Sequence, residues 1–178
     1  METQFKVEGI ILNTKPWFEA DKRVEIFSKK TGKMILLAKH ACRSQKFSGR
    51  YETFNYIHAN IYKGKSFLYV TQCDILQSFS YIRNHLNQLS LAAYCCSVIR
   101  KATSYGQGNP PLFSLLLHTL ELLNNPDSVI QDIKSHFHTH FLKREGLLDH
   151  NIPVSDDVFK THYEVYTGQT VPSLLFMQ

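Results

Sequence analysis

Eleven lysines or arginines lie between Lys22 and Lys65, against only two acids, Glu25 and Glu52. Such an imbalance does little for folding, but it raises the local concentration of a polyanion and steers it toward the surface that carries the charge. Within this segment Lys39, Arg43, Lys46 and Arg50 recur at every third or fourth position, with small residues and Phe47 between them. Cations at that spacing can follow a phosphate backbone; Ser44 and Ser48 add hydroxyl donors, and Phe47 or Tyr51 can stack on an unpaired base. Lys22 and Arg23 extend the charge just ahead of this run. A nucleic-acid strand is the expected partner, and a merely solvated loop is the bland alternative.

Two further runs carry side chains of interest at period two: Phe54, Tyr56, His58, Asn60 and Tyr62, then Phe67, Tyr69 and Thr71. Single-strand binders stack bases on such rows. Aromatics at this period more often fill a barrel core or pack on a neighbouring domain, and that is the reading expected for these rings. Gly64-Lys65-Ser66 imitates the end of a phosphate-binding loop, but Ala59 stands where the earlier glycine is required and the stretch joins two strands. No nucleophile elbow, dinucleotide fingerprint or paired-histidine zinc motif is present in the sequence. Asp132, His136 and His140 are spaced by four, with His138 among them, a pattern that could line up zinc ligands on one helical face. With no further ligand cluster in the sequence, polar histidines on a solvated face opposite Phe137 and Phe141 are expected, and no metal site. Of the four cysteines, Cys42 reads as incidental and exposed, while Cys95 and Cys96 sit in an apolar stretch suited to buried reduced thiols. Neither a disulfide framework nor a cysteine zinc site is expected.

The elements that would position these residues fall into two halves. Residues 5–14, 23–28, 34–38, 53–62 and 67–73 alternate or run apolar as strands, with turns at Lys15-Pro16-Trp17-Phe18, Thr31-Gly32 and Lys63-Gly64-Lys65, and a basic loop from Lys39 to Glu52. Five strands with the longest connection after the third suit a small closed barrel of the OB type. After about residue 80 the period lengthens. Ile82, Leu86, Leu89, Ala93 and Cys96 predict a central helix; Leu112, Leu116, Leu120 and Leu123 a second after Pro110-Pro111; Ile130, Ile133, Phe137 and Phe141 a third; Phe159, Tyr163 and Tyr166 a weaker fourth. The fold class is therefore α+β, with an OB-type nucleic-acid-binding domain over 1–79 and a helical domain lacking a cysteine zinc module over 80–178. Residues 1–80 hold thirteen cations against seven acids and residues 81–178 seven against eight, so the net charge of +5 belongs to the barrel half. No apolar run is long enough to span a bilayer and the first residues lack signal-peptide blocks, so a cytoplasmic protein without membrane association is expected.

In the order of its motifs the chain resembles the bacterial RecO family of recombination mediators and DNA-repair proteins. The residues that carry the likeness are Glu8-Gly9-Ile10-Ile11-Leu12, Asp21-Lys22, Thr31-Gly32-Lys33, Ala38-Lys39 followed by Arg43 and Lys46, then Phe54, Asn109-Pro110, Leu112-Phe113 and Leu116-Leu117, over about residues 5 to 148. The resemblance implies an OB-fold joined to a helical domain, no cofactor, no catalytic turnover, and binding to single- and double-stranded DNA. It also implies strand annealing, contact with the acidic tail of single-stranded DNA-binding protein, and work with RecR to help RecA load, in the bacterial cytoplasm at the nucleoid. Lys22, Lys39, Arg43 and Lys46 carry over as DNA contacts; Arg23 and Arg50 join them by charge and position. One of the pairs Arg100-Lys101 and Lys143-Arg144, beside apolar helices, is expected to rim a groove for the acidic tail, the bland alternative being that both solvate helix ends or favour the helix dipole. Many members carry a four-cysteine zinc module after the third helix, whereas Leu148 to Gln178 contain no cysteine. An RNA-binding or translation-associated barrel protein is the alternative function that the same basic face would serve, and a zinc hydrolase on the histidine run a remoter one.

Overall fold

The computed structural model describes residues 3–43, 45–148 and 154–174. They form two units: residues 1–78 together with 103–109, and residues 79–102 together with 110–178.

The first unit is a five-stranded barrel. Strands β1 (Thr3–Trp17), β2 (Asp21–Ser28), β3 (Gly32–Ala38), β4 (Tyr56–Lys63) and β5 (Leu68–Gln77) close in the order β1-β2-β3-β5-β4. Closure depends on β1, which pairs β4 over residues 3–10 and β2 over residues 9–17, with a register shift between Ile11 and Asn13. Gly9 belongs to both ladders, and a Cβ there would lie 2.9 Å from the Phe27 carbonyl oxygen, so the crossing requires glycine. The other seam is the short parallel pairing of Leu36 with Leu68 and Leu37 with Tyr69. Val7, Ile11, Val24, Ile26, Leu36, Ile57 and Ile61 fill the interior, each contributing about 1.5–3 kcal/mol of burial.

The stretch expected as a loop between β3 and β4 contains a helix, α1 (Gln45–Arg50), and sends Ala41 and Tyr51 into the barrel core. Asn55 Nδ2 donates to the carbonyls of Gly49 and Arg50 at 3.0 and 3.3 Å, terminating it. Burial pushes the Tyr51 phenol up to about 12, so it stays protonated in this apolar setting.

A segment from between the third and fourth helices also belongs to the barrel unit. Tyr105 Oη donates to Glu25 Oε1 at 2.6 Å, the Lys33 ammonium sits 4.5 Å from the Tyr105 ring centroid, and Gly106 N donates to Lys33 O. Gly32, at φ +67°, could not carry a side chain against Gln107, whose carbonyl oxygen would lie 2.0 Å from its Cβ.

The second unit holds α2 (Ser80–Asn84), α3 (Leu86–Ala102), α4 (Pro110–Leu123), α5 (Ile130–Arg144) and α6 (Asp156–Thr167). The single central helix expected from residue 82 is interrupted at His85, which is extended and stacks its ring on Tyr81 with centroids 3.7 Å apart. Leu86 and Ala93 consequently face outward, while Leu91, Tyr94, Cys95, Val98 and Ile99 are buried. Helices α4 and α5 bury the leucines and phenylalanines expected of them. Ser155 caps α6, followed by Asp156 and Asp157 in the first turn, and Gly168 in the left-handed region ends it. Phe137, Phe141, Phe159 and Tyr163 form the aromatic centre, and Tyr163 Oη donates to Val98 O at 3.1 Å.

Candidate nucleic-acid interface

Alternation on the barrel decides which rings are available. In β4 Ile57, Ala59 and Ile61 are buried while Tyr56, His58, Asn60 and Tyr62 are half-exposed, so the row expected to fill the core stands on the outside. Phe54 is the exception, buried at φ +78° ahead of the strand. Tyr69 of β5 stacks on Tyr62 at 6.3 Å, and Phe67 meets Tyr69 edge-on at 6.3 Å. Trp17 follows at 6.5 Å from Phe67, and Phe18 at 5.4 Å from Trp17. Five rings thus form a continuous row over the ends of β1, β4 and β5. The Lys39 ammonium lies 4.7 Å from the centroid of Tyr69, adding a cation to the row.

Beside the row is a cleft of about 960 Å³ between the β1–β2 and β4–β5 connections. Phe5, Ile35 and Leu68 supply apolar wall, Trp17 and Phe67 supply faces for stacking, and Arg23, Lys63 and Lys65 supply charge. Among the described residues, none of these three cations is held in an ion pair. Gly64 makes the tight connection possible: its N–H donates to Phe67 O at 2.9 Å, and a Cβ would meet the Tyr69 ring at 2.7 Å. The arrangement combines cations that track a backbone with rings that take bases, the two ingredients of single-strand binding.

The residues expected from sequence divide by what they touch. Arg23 enters the cleft and Lys39 joins the aromatic row. Lys22, the neighbour of Arg23, points the other way along the pleat: its ammonium donates to Ser48 O at 3.1 Å and Ser48 Oγ at 2.7 Å, tying β2 to α1. Arg50 reaches Cys73 O at 3.3 Å and ties α1 to β5. Arg43 is exposed in a turn anchored by Cys42 N to Ala20 O at 2.9 Å and by His40 N to Asp21 Oδ1 at 2.8 Å. Ser44 and the side chains of Lys46 and Phe47 lie outside the described residues. Lys63, Lys65 and the Trp17–Phe67 pair were not singled out from sequence; the signal for them was two cations flanking Gly64 and the sole tryptophan of the chain.

In the helical unit Lys101 Nζ donates to Thr170 O at 3.0 Å and Arg144 donates to the Pro111 carbonyl, while Arg100 and Lys143 also have partners of their own. The histidines do not share one solvated face. His138 is buried, stacks on Phe159 at 3.8 Å, and pairs Nε2 with Tyr94 Oη at 2.8 Å. Burial lowers its pKa to about 4, against the opposing pull of Asp156, whose carboxylate also takes Lys134. His136 and His140, with ring centroids 4.1 Å apart, both have lowered pKa values, first through burial and then through His140 and His118 for His136 and through Arg144 and Lys143 for His140. No group of three ligands spaced to hold a metal occurs among the described residues. All four cysteines are free, with Cys42 exposed and the rest buried.

A closed five-stranded barrel with a helix after its third strand, and a cleft between its first and fourth connections, defines an OB-fold, whose members take oligonucleotides or oligosaccharides at those connections. Sequence comparison carries this further. The chain belongs to the RecO family: the profile described as Recombination protein O N terminal matches residues 1–79, and Recombination protein O C terminal matches residues 83–147. DNA repair protein RecO of Alkaliphilus metalliredigens is 32% identical over 146 residues, 82% of this chain and 59% of the relative. That of Clostridium kluyveri is 32% identical over 144 residues, 80% and 56% of the two chains. The chain thus spans less than two thirds of the length of these relatives. Among the described residues, no helix is long and apolar enough to cross a membrane.

Proposed function

We propose that this chain is a DNA-binding recombination mediator of bacterial DNA repair, working at the nucleoid without catalytic turnover. It holds single-stranded DNA in the barrel cleft, anneals complementary strands, and with RecR assists RecA onto DNA coated by single-stranded DNA-binding protein. The observation that carries the reading is the cleft between the β1–β2 and β4–β5 connections, where Arg23, Lys63 and Lys65, in no ion pair among the described residues, flank Trp17 and Phe67. Family membership and the curated name of the relatives supply the repair context. Lys39 and Arg43 extend the path of the strand, whereas Lys22 and Arg50 brace α1 behind it. For the acidic tail of single-stranded DNA-binding protein, one of the basic pairs Arg100-Lys101 and Lys143-Arg144 is the proposed rim; their existing partners mean the tail must displace local contacts.

Titrating an oligonucleotide while following tryptophan emission tests the reading, because Trp17 is the sole tryptophan. Stacking on a base should quench it. Trp17→Ala, followed by a label on the DNA, should cost about 1–3 kcal/mol of affinity. With Arg23, Lys39, Lys63 and Lys65 engaged, log K should fall against log salt with a slope of about −3 for single strands. Unquenched emission together with salt-independent or absent binding would dismiss the cleft as the site. A marked preference for RNA of the same sequence would turn the reading toward the 2′-hydroxyl and RNA.

A further inference from the structure

We propose that a second groove on the barrel binds the phosphodiester backbone of a second nucleic-acid strand while the first occupies the cleft, an inference that rests on the cleft being a single-strand site. The groove, about 390 Å³, lies between the outer faces of β1 and β4 and the β2–β3 turn. Lys6, Lys29 and Lys30 line it, with His58, Ser28 and Thr31. Among the described residues, no ion pair engages any of the three lysines. The one acid in the groove, Glu8, accepts a hydrogen bond from Tyr56 Oη at 3.1 Å, and burial together with that bond raises the Tyr56 pKa, so the phenol stays a donor. Three cations against one engaged carboxylate is a surface complementary to a polyanion.

The turn that presents Lys29 and Lys30 is braced. Gly108 is pressed so closely on it that a Cβ would lie 2.3 Å from Lys30 O, and Gly32 at its other end is equally close to Gln107. The backbone of the turn is therefore held in place, and only the exposed side chains must order around a ligand.

Distance separates the two sites. Phe5 of the cleft and Lys6 of the groove are neighbours on β1, but Ser28 is five residues along β2 from Arg23, and His58 five along β4 from Lys63, about 16 Å in each case. That exceeds the Debye length of about 8 Å at physiological ionic strength, so two backbones can lie on one barrel with their repulsion largely screened. No residue lines both sites.

The test uses the full chain, immobilised oligothymidylate, and fluorescent oligothymidylate in solution, so that pairing between strands contributes nothing. The wild-type protein on the immobilised strand should capture the labelled one. Lys29→Glu with Lys30→Glu should lower capture about tenfold or more. Affinity for the first strand should hold within about threefold, given the screening distance. Should that variant fail to fold, Lys6→Glu carries the same expectation. Undiminished capture by a folded variant overturns the groove and assigns the capture to another surface, such as the cleft of a second copy; diminished capture with first-strand affinity intact excludes that route. First-strand binding with no capture by the wild type overturns the groove and leaves the cleft standing, whereas no binding of either strand overturns both.

Discussion

The two units differ in the charge they leave beside an aromatic surface, although the barrel too satisfies Lys22, Arg50 and Glu25 internally. In the helical unit Lys134 meets Asp156, His138 meets Tyr94, Lys101 meets a carbonyl, and the interior is sealed by stacked aromatics. On the barrel, Arg23, Lys63 and Lys65 stand beside exposed or half-exposed rings with no ion-pair partner among the described residues. A charge already satisfied within the fold has little to offer a ligand, since any new contact must first replace the old one. Charge left unpaired over an aromatic surface costs the barrel stability through self-repulsion and is informative for that reason.

The comparison breaks most visibly through the helical core. Phe137→Ala should cost about 3–5 kcal/mol in urea unfolding followed by circular dichroism. At low temperature, with the variant still folded, oligonucleotide affinity should match the wild type; a parallel loss would move the binding machinery out of the barrel.

Acid should act on the same unit. His138 is neutral when folded, with a pKa near 4, while the unfolded chain protonates near 6.5. Above 6.5 neither state carries the proton and the stability is complete. As pH falls from 6.5 toward 4, the unfolded state gains protons first, so stability should drop by up to about 3 kcal/mol and then level off. Melting curves across that window measure it, and His138→Gln should flatten this part of the pH dependence while lowering stability throughout. A wild-type profile without the slope would mean that His138 is protonated in the fold.

The smallest expected effect separates two neighbouring kinds of cation within the barrel. Lys65→Ala should reduce the salt slope of single-strand binding by about 0.7 and leave the melting temperature unchanged. Lys22→Ala should do the reverse, removing the tether to Ser48 at a cost of about 1 kcal/mol without changing the slope. Equal behaviour of the two would erase the distinction between bracing and binding cations.

The strands were legible because their barrel-facing positions are apolar, which writes period two into Val24, Ile26, Ile57 and Ile61, even where β2 and β3 bury residues of both faces. Helix α1 was not, since six residues containing Ser48 and Gly49 show no helical period and owe their conformation to Lys22, Asn55 and the barrel beneath. The basic segment was plain, but the division of labour within it was not: Lys22 and Arg23 are adjacent in sequence and face opposite sides of one strand. The cleft itself joins Trp17 to Phe67 across forty-nine intervening positions, a proximity that only barrel closure creates. His138 was misread because a histidine on a periodic helix scores as polar, while Tyr94 and Phe159, which make its burial tolerable, come from two other helices.

The segment at residues 103–109 has a consequence for how the protein is made. It completes the barrel unit, yet it leaves the ribosome about thirty residues after β5, a delay of a few seconds at ordinary translation rates. During that interval the nascent barrel has Gly32 and Lys30 without the backbone that later presses on them, and Glu25 without Tyr105. Release of a chain truncated just after β5 would give that waiting state permanently, so expressing the barrel without residues 103–109 isolates an assembly intermediate and not the finished module.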